Sequence, residues 1–339
     1  MKILLTGGCG FIGSHQAVVL LEAGHDVVIV DDLSNARATV VDRIAEIAGR
    51  RPQFVGLDVR DTKALVEVMA TTGCDSIIHF AGLKHVAESM ERAVDYLDVN
   101  VGGMTSLLRA ADVTGIRRFI FSSSGSIYGP ASTTPIPEDA PIQPTNPYSR
   151  SKAVCEEILS AVCAVDPTWA VMSLRYFNPA GAHPSGLIGE DPTNLISNIV
   201  PVLMEAAVGE MEAVPIYGTD FDTPDGTAVR DYIHVMDVVE AHSTALDLLP
   251  GTTGFEALNI GRGQGISVRQ LVAAAENALG SSIPVVERPR RPGDVAALVA
   301  ATDRARERLG QTDYRAVDTI FSDAWRFRVG RSSVWARRW

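Results

Sequence analysis

The residues best suited to proton chemistry are Tyr148, Lys152 and Ser124. Tyr148 and Lys152 lie four positions apart in Tyr148-Ser-Arg-Ser-Lys152, a stretch that reads as helix. Residues at that spacing share a helix face. An ammonium beside a phenol favours the phenolate, so a group whose ordinary pKa is about 10 becomes a usable acid or base near neutral pH. Ser124 closes the run Ser122-Ser-Ser124 at the end of an expected strand. Its hydroxyl could relay the proton or hold a substrate oxygen. Two surface residues at helical spacing are common, so the pair draws its meaning from what precedes it.

What precedes it is Lys2-Ile-Leu-Leu-Thr-Gly-Gly-Cys-Gly-Phe-Ile-Gly-Ser14. Ile3 to Leu5 fits a buried strand, glycines stand at 7, 8, 10 and 13, and Phe11 to Ala23 reads as a helix closed by Gly24. Strand, glycine turn and helix form the context of a dinucleotide fingerprint. The glycines permit a tight turn, close approach of backbone N–H groups to a pyrophosphate, and close packing of helix on strand. The helix N-terminus favours the anion. A second strand, Asp26-Val-Val-Ile-Val-Asp31, ends in an acid roughly 20 residues on, where a ribose-binding carboxylate is expected. A carboxylate at Asp31 repels a 2′-phosphate, so NAD is expected over NADP.

Further strands are expected at Phe54–Asp58, Ser76–Gly82, Arg118–Ser122 and Trp169–Arg175. Helices are expected around Val40–Ala48, at Lys63–Ala70, at Asp95–Thr114 with Gly115 after it, and at Ser149–Val165. This alternation predicts an α/β fold, a Rossmann-type doubly wound parallel sheet with ligands beyond the carboxyl ends of its strands. Beyond Tyr176 prolines and glycines multiply. Ile196–Val208 and Val268–Leu279 read as helices, Arg230 onward as a strand running into a helix, and Leu258–Ile260 as a strand. We expect a smaller mixed α/β substrate-binding lobe woven into the chain. The NAD-binding part would be 1–177 plus about 229–262, and the lobe about 178–228 plus 263–339.

Composition narrows the class. The chain has 339 residues, 46% hydrophobic and 21% charged, which is ordinary for a soluble globular protein. A net charge of −11 argues against a nucleic-acid surface. No apolar run approaches the 18 or so residues of a membrane span, and the chain enters its first strand at once, so neither membrane nor signal peptide is expected. Cys9, Cys74, Cys155 and Cys163 show no Cys-x-x-Cys pairing, which fits reduced thiols in the cytoplasm. No His/Cys/carboxylate cluster has metal-ligand spacing. The arginines near the end, Arg326, Arg328, Arg331, Arg337 and Arg338, read as a solvated tail.

The motifs together resemble the extended short-chain dehydrogenase/reductase family. Those that carry the resemblance are Thr6-Gly-Gly-Cys-Gly-Phe-Ile-Gly13, Asp58, Ser122-Ser-Ser-Gly-Ser-Ile-Tyr-Gly129 and Tyr148-x-x-x-Lys152. His79–Lys84, Arg175–Gly186, Asp225–Asp237 and Arg290–Asp294 narrow it to the UDP-glucose (UDP-galactose) 4-epimerases. The resemblance implies reversible 4-epimerisation through a 4-keto sugar, with NAD held throughout, a UDP-sugar substrate, a place in galactose metabolism, and a homodimer built on the helices at Asp95–Thr114 and Ser149–Val165. Leu107, Leu108, Val154, Ile158 and Val162 are the extra apolar positions there. It makes Tyr148 the base, with Lys152 and Ser124 beside it. Cofactor contacts would be Gly7, Gly10, Phe11, Ile12, Gly13, Asp31, Asn35, Asp58, Val59, Phe80, Ala81, Gly82, Lys84, Asn100, Ser122, Tyr148, Lys152 and Phe177. Substrate contacts would be Lys84, Ser124, Tyr148, Tyr176, Asn178, Asn198, Ile199, Ile216, Tyr217, Arg230, Arg291, Asp294 and Leu298, with arginines suited to a diphosphate.

Some positions discriminate. Val99 stands where the family often has asparagine. Gly125 and Ser126 occupy the place of the acidic pair that a sugar-nucleotide dehydratase needs for elimination. Rival readings are an epimerase of UDP-N-acetylglucosamine, UDP-glucuronate or a UDP-pentose, and a non-catalytic NAD-binding Rossmann protein. That last reading needs the cradle but not Ser124, Tyr148 and Lys152.

Overall fold

A computed structural model describes residues 1–131, 133–193, 196–291 and 293–336, with side chains described as far as residue 331. Among these the chain forms β1 (Lys2–Thr6), β2 (Asp26–Asp31), β3 (Gln53–Gly56), β4 (Ser76–His79), β5 (Arg118–Ser124), β6 (Ala170–Tyr176) and β7 (Asn178–Ala180). The short strands β8 (Val214–Tyr217), β9 (Val229–Arg230) and β10 (Tyr232–His234) lead to β11 (Gly254–Ile260), followed by β12 (Ile266–Ser267), β13 (Val285–Arg288) and β14 (Ala297–Leu298). The helices are α1 (Phe11–Glu22), α2 (Thr39–Ala48), α3 (Thr62–Thr72), α4 (Val86–Glu91), α5 (Ala93–Leu97) and α6 (Gly103–Thr114). The rest are α7 (Pro147–Val165), α8 (Ile199–Ala207), α9 (Val235–Leu248), α10 (Val268–Leu279), α11 (Asp303–Leu309) and α12 (Val317–Ala336). No helix among the described residues is long and apolar enough to cross a membrane.

The main sheet has the order β11-β6-β5-β4-β1-β2-β3, and every pairing in it is parallel. Its strands are apolar on both faces, because helices cover both. Ile3, Leu5, Val27, Ile29, Ile78 and Ile120 pack on one face in a cluster that includes α1, α2 and α9 residues. The alternate residues Leu4, Val28, Val30, Ile77, Phe119 and Phe121 pack on the other face with residues of α3, α6 and α7. This is the doubly wound Rossmann-like sheet that the alternation of strand and helix predicts. The strand order reverses between β1 and β4, so the crevice beyond their carboxyl ends is where ligands of such sheets bind.

A separate core joins α8, α10 and α12 through Leu203, Leu271, Ala275, Ile320 and Phe321. Small sheets tie this lobe together: β13 on β8, and β12 and β14 on β9.

Three sequence expectations need correction. The helix expected over Asp95–Thr114 is broken: Asp98–Gly102 forms a π turn between α5 and α6. The reason lies at Asn100, whose side chain accepts from Leu83 N at 2.8 Å and donates to Ser151 Oγ at 2.8 Å, so the local winding follows a tertiary demand. The strand expected through Asp58 stops at Gly56, and Asp58 instead takes the Arg60 guanidinium. The arginine-rich end is not a solvated tail. Arg328 pairs with Glu205, Arg331 with Asp191, and Arg326 donates to Pro184 O at 2.6 Å, which dock α12 on the lobe and on the segments before α8. Arg337 and Arg338 lie outside the described residues.

Candidate active site

One cavity of about 690 Å³ runs along the carboxyl edge of the sheet. The cradle forms one end. Gly7 has φ +69°, and a Cβ there would lie 2.6 Å from Ala81 N. A Cβ on Gly13 would lie 2.2 Å from Gly7 O. Only glycine lets the turn close and the first turn of α1 face the cavity with its unpaired N–H groups. Asp31, at the end of β2, accepts from Cys9 N at 3.0 Å and Leu33 N at 2.9 Å. Burial raises its pKa, and these two N–H groups offset only part of that rise. Asn35 and Asn178 both line the cavity, and their Oδ1 atoms are buried with no partner among the described residues, so they are acceptors in want of a donor.

At the other end stand Ser124, Tyr148 and Lys152. Asn146 caps α7 with a reciprocal Asn146–Ser149 capping box, and Pro147 starts the helix. This fixes Tyr148 in the first turn. Its hydroxyl meets the Ser124 side chain, which lowers the phenol pKa, but burial raises it more. The expectation that Lys152 lowers the Tyr148 pKa is therefore corrected: in the protein alone, desolvation wins. The Lys152 ammonium points elsewhere, donating to Ser122 O at 2.8 Å and lying 4.9 Å from the Phe121 ring centre. Burial pushes Lys152 down to about 8, against the pull of Cys155 and Glu156.

A second phenol lines the same cavity. Tyr176 donates to His242 Nε2 at 2.5 Å, since His242 Nδ1 is engaged by Val238 O at 2.9 Å. Burial holds Tyr176 well above the usual phenol range, ahead of the Ser122 side-chain bond that lowers it. Its proton is committed to the histidine, unlike that of Tyr148, whose side-chain partner is Ser124.

A family model described as the NAD dependent epimerase/dehydratase family matches residues 3–261. The chain belongs to this family. A UDP-glucose 4-epimerase of Bacillus subtilis (strain 168) is 42% identical over 97% of this chain and 97% of its own length. One from Dictyostelium discoideum is 43% identical over 96% and 95%. Among solved structures, a UDP-glucose-4-epimerase from Stenotrophomonas maltophila, with bound NAD and formylated UDP-arabinopyranose, superposes with a TM-score of 0.96 at 41% identity, covering 98% of this chain and 99% of that one. A Bifidobacterium longum UDP-glucose 4-epimerase in complex with NAD+ and UDP has a TM-score of 0.95 at 40% identity, over 98% and 99%.

Most residues that the sequence offered for this epimerase/dehydratase chain meet at the cavity. Phe11, Ile12, Asp31, Asn35, Asp58, Val59, Phe80, Ala81, Gly82, Lys84, Ser122 and Phe177 line it, as do Tyr176, Asn178, Asn198, Ile199, Arg230, Asp294 and Leu298. Asn100, Ile216, Tyr217 and Arg291 stand behind that wall. Asn100 holds both the N–H and the carbonyl of Leu83 and so shapes the turn that follows Gly82. Ile216 is buried in β8, and Arg291 stacks 4.6 Å above the Tyr217 ring while pairing with Asp294 at 3.1 Å.

Sequence reasoning missed Glu190 and Asp191. Glu190 bonds Lys84 and Asn198, both at 2.6 Å, and Asp191 lies between Arg37 at 3.8 Å and Arg331 at 2.8 Å. The only signal was an acidic pair in Gly189-Glu-Asp-Pro192, within a stretch too irregular to place.

Proposed function

We propose that this chain interconverts UDP-galactose and UDP-glucose by epimerisation at C4 of the sugar, using tightly held NAD. The observation that carries the proposal is the placing of Ser124, Tyr148 and Lys152 in one cavity with the Gly7–Gly13 cradle. The donor set suits the cofactor: a helix N-terminus for a pyrophosphate, the Asp31 carboxylate for ribose hydroxyls, and an unpartnered Asn35 acceptor. Asp31 also disfavours a 2′-phosphate. NAD, when bound, supplies reversible two-electron oxidation at the sugar carbon.

Tyr148 takes the proton from the 4-hydroxyl and later returns it. A phenol raised by burial is a strong base once ionised, and the positive charge that bound NAD would supply would favour that ionisation. Ser124 donates to the 4-oxygen as it becomes a carbonyl. The 4-keto sugar turns between the two half-reactions. Arg230, whose guanidinium bonds the backbone carbonyl of Val229 at 2.9 Å, is placed to meet the diphosphate.

By this reading residues 1–177 with about 229–262 form the NAD-binding part, and about 178–228 with 263–339 the substrate lobe. The four buried free cysteines fit a reducing cytoplasm, and exposed apolar side chains on α5, α6 and α7 fit a homodimer.

The test is incubation of the purified holoprotein with UDP-galactose, the products followed by chromatography. UDP-glucose should accumulate to an equilibrium mixture with no added reductant. Stoichiometric release of NADH would refute the reading, since epimerisation restores the cofactor each cycle.

A further inference from the structure

Glu190 is an anion in a cavity that must take two anionic nucleotides. Its side chain is 8% exposed, and Oε1 alone accepts from both Lys84 Nζ and Asn198 Nδ2 at 2.6 Å. Lys84 follows β4 of the main sheet, whereas Asn198 opens α8 of the lobe. Asn198 holds the N-cap position of α8, yet its side chain makes no cap bond and turns to Glu190 instead. A second link joins the same segments, from His85 Nδ1 to Ser197 Oγ at 2.8 Å.

Of the other cations on the cavity wall, Arg37 faces Asp191 and Arg92 pairs with Glu88 and Asp95, whereas Lys152, Arg43 and Arg230 donate to the backbone carbonyls of Ser122, Leu187 and Val229. Arg230 is the cation assigned above to the diphosphate. An acidic sugar that reached Lys84 would have to compete with Glu190 for it while approaching a carboxylate.

We propose that Glu190 is a positioning residue: it sets Lys84 and Asn198 for the sugar nucleotide and, by cancelling the lysine charge, makes the cavity favour neutral over acidic sugars. This rests on the epimerase reading above. The lysine then acts as an oriented hydrogen-bond donor rather than as a free counter-ion.

The experiment uses the NAD-loaded protein. Calorimetry should show UDP-glucuronate binding at least tenfold more weakly than UDP-glucose to the wild type; equal affinities would overturn the proposal. In Glu190→Gln, KM for UDP-galactose should rise about tenfold, as expected for losing a hydrogen bond to a charged group. Its kcat should fall less, and the affinity ratio should move at least tenfold toward UDP-glucuronate. With Lys84→Met added, the double variant should be no worse on UDP-galactose than Lys84→Met alone. Multiplicative losses, or an unchanged affinity ratio in Glu190→Gln, would sink the idea. If Glu190→Gln does not fold, the wild-type affinities decide. Inactivity of the wild type on UDP-galactose would sink the epimerase reading instead, and the affinity ratio would still judge Glu190.

Discussion

Of the phenols at the cavity wall, Tyr176 and Tyr148 differ in what their hydroxyls touch. Tyr176 donates to a neutral histidine, His242, which burial lowers to about 4, and so keeps its proton at working pH. Tyr148 has the Ser124 hydroxyl as a side-chain partner. Tyr148→Phe should thus lower kcat by about 10²–10⁴-fold, the usual worth of a general acid–base group, with NAD content unchanged. Near-normal turnover would remove Tyr148 from that role. Leu298 is the residue that should set substrate range. It lies on β14, 9% exposed, and lines the cavity beside Asp294 and Arg230. A tyrosine there would fill space that leucine leaves open for an N-acetyl group. We expect slow but measurable epimerisation of UDP-N-acetylglucosamine, lost in Leu298→Tyr while UDP-galactose turnover is largely kept. No wild-type activity on the acetylated sugar, or an unchanged ratio of the two activities in Leu298→Tyr, would show that Leu298 is not the gate.

Elements carry these side chains only because buried polar contacts hold the elements. At the end of β6, Arg175 makes a forked pair with Glu156 of α7, at 2.7 Å for its nearest contact, and donates to Tyr128 Oη and Glu138 O at 2.8 Å. Tyr128 in turn donates to Asn259 of β11 at 2.7 Å. The network pins α7, and with it Tyr148 and Lys152, to the sheet edge. Breaking one side of a buried pair strands a charge, so Arg175→Met should cost about 3–5 kcal/mol in urea unfolding, and Arg175→Met with Glu156→Leu clearly less than that. Equal losses in the single and double variants would mean the charges are not what matters.

None of this network was legible in the sequence, because its members are scattered from Tyr128 to Asn259 and no spacing joins them. The sheet was legible: its strands are continuous apolar runs buried on both faces, and the helices between them are often closed by glycine, as at Gly49, Gly73 and Gly115. The bounds of α10 were read without error, since Ser267 and Gln270 form a capping box and Gly280 ends the helix in the left-handed conformation. The strands of the lobe are two to four residues long, too short to show a period, and β8, β12, β13 and β14 went unseen. The π turn at Asp98–Gly102 was hidden because its cause, Asn100 reaching Leu83 and Ser151, is tertiary. Likewise the catalytic spacing was visible while the electrostatics were not: helical periodicity puts Lys152 on the face of Tyr148, but only the fold shows its ammonium turned to Ser122 O.

At the scale of the molecule, apolar side chains remain uncovered on helices of one sheet face. Leu107 and Leu108, expected to serve an interface, are instead consumed by the core under α6, and Ile158 and Val162 pack partly against it. The exposed residues are different ones: Val94 at 78% and Leu97 at 40% on α5, Val113 at 71% on α6 and Val165 at 87% on α7. Single exposed valines are ordinary, but α5 packs on α7, so several lie on neighbouring helices. A second copy of the chain offers the same apolar residues, and a two-fold axis makes such a surface self-complementary. A net charge of −11 works against association, so the contact must exclude charge from its centre. Light scattering at micromolar concentration should give twice the 36.3 kDa chain mass. Placing carboxylates at its centre with Val94→Asp and Leu97→Asp should weaken the dimer at least tenfold. Because neither residue lines the cavity, UDP-galactose turnover per chain should persist in the monomer. A wild type that scatters as a monomer, or a variant that stays dimeric, would place the partner surface elsewhere.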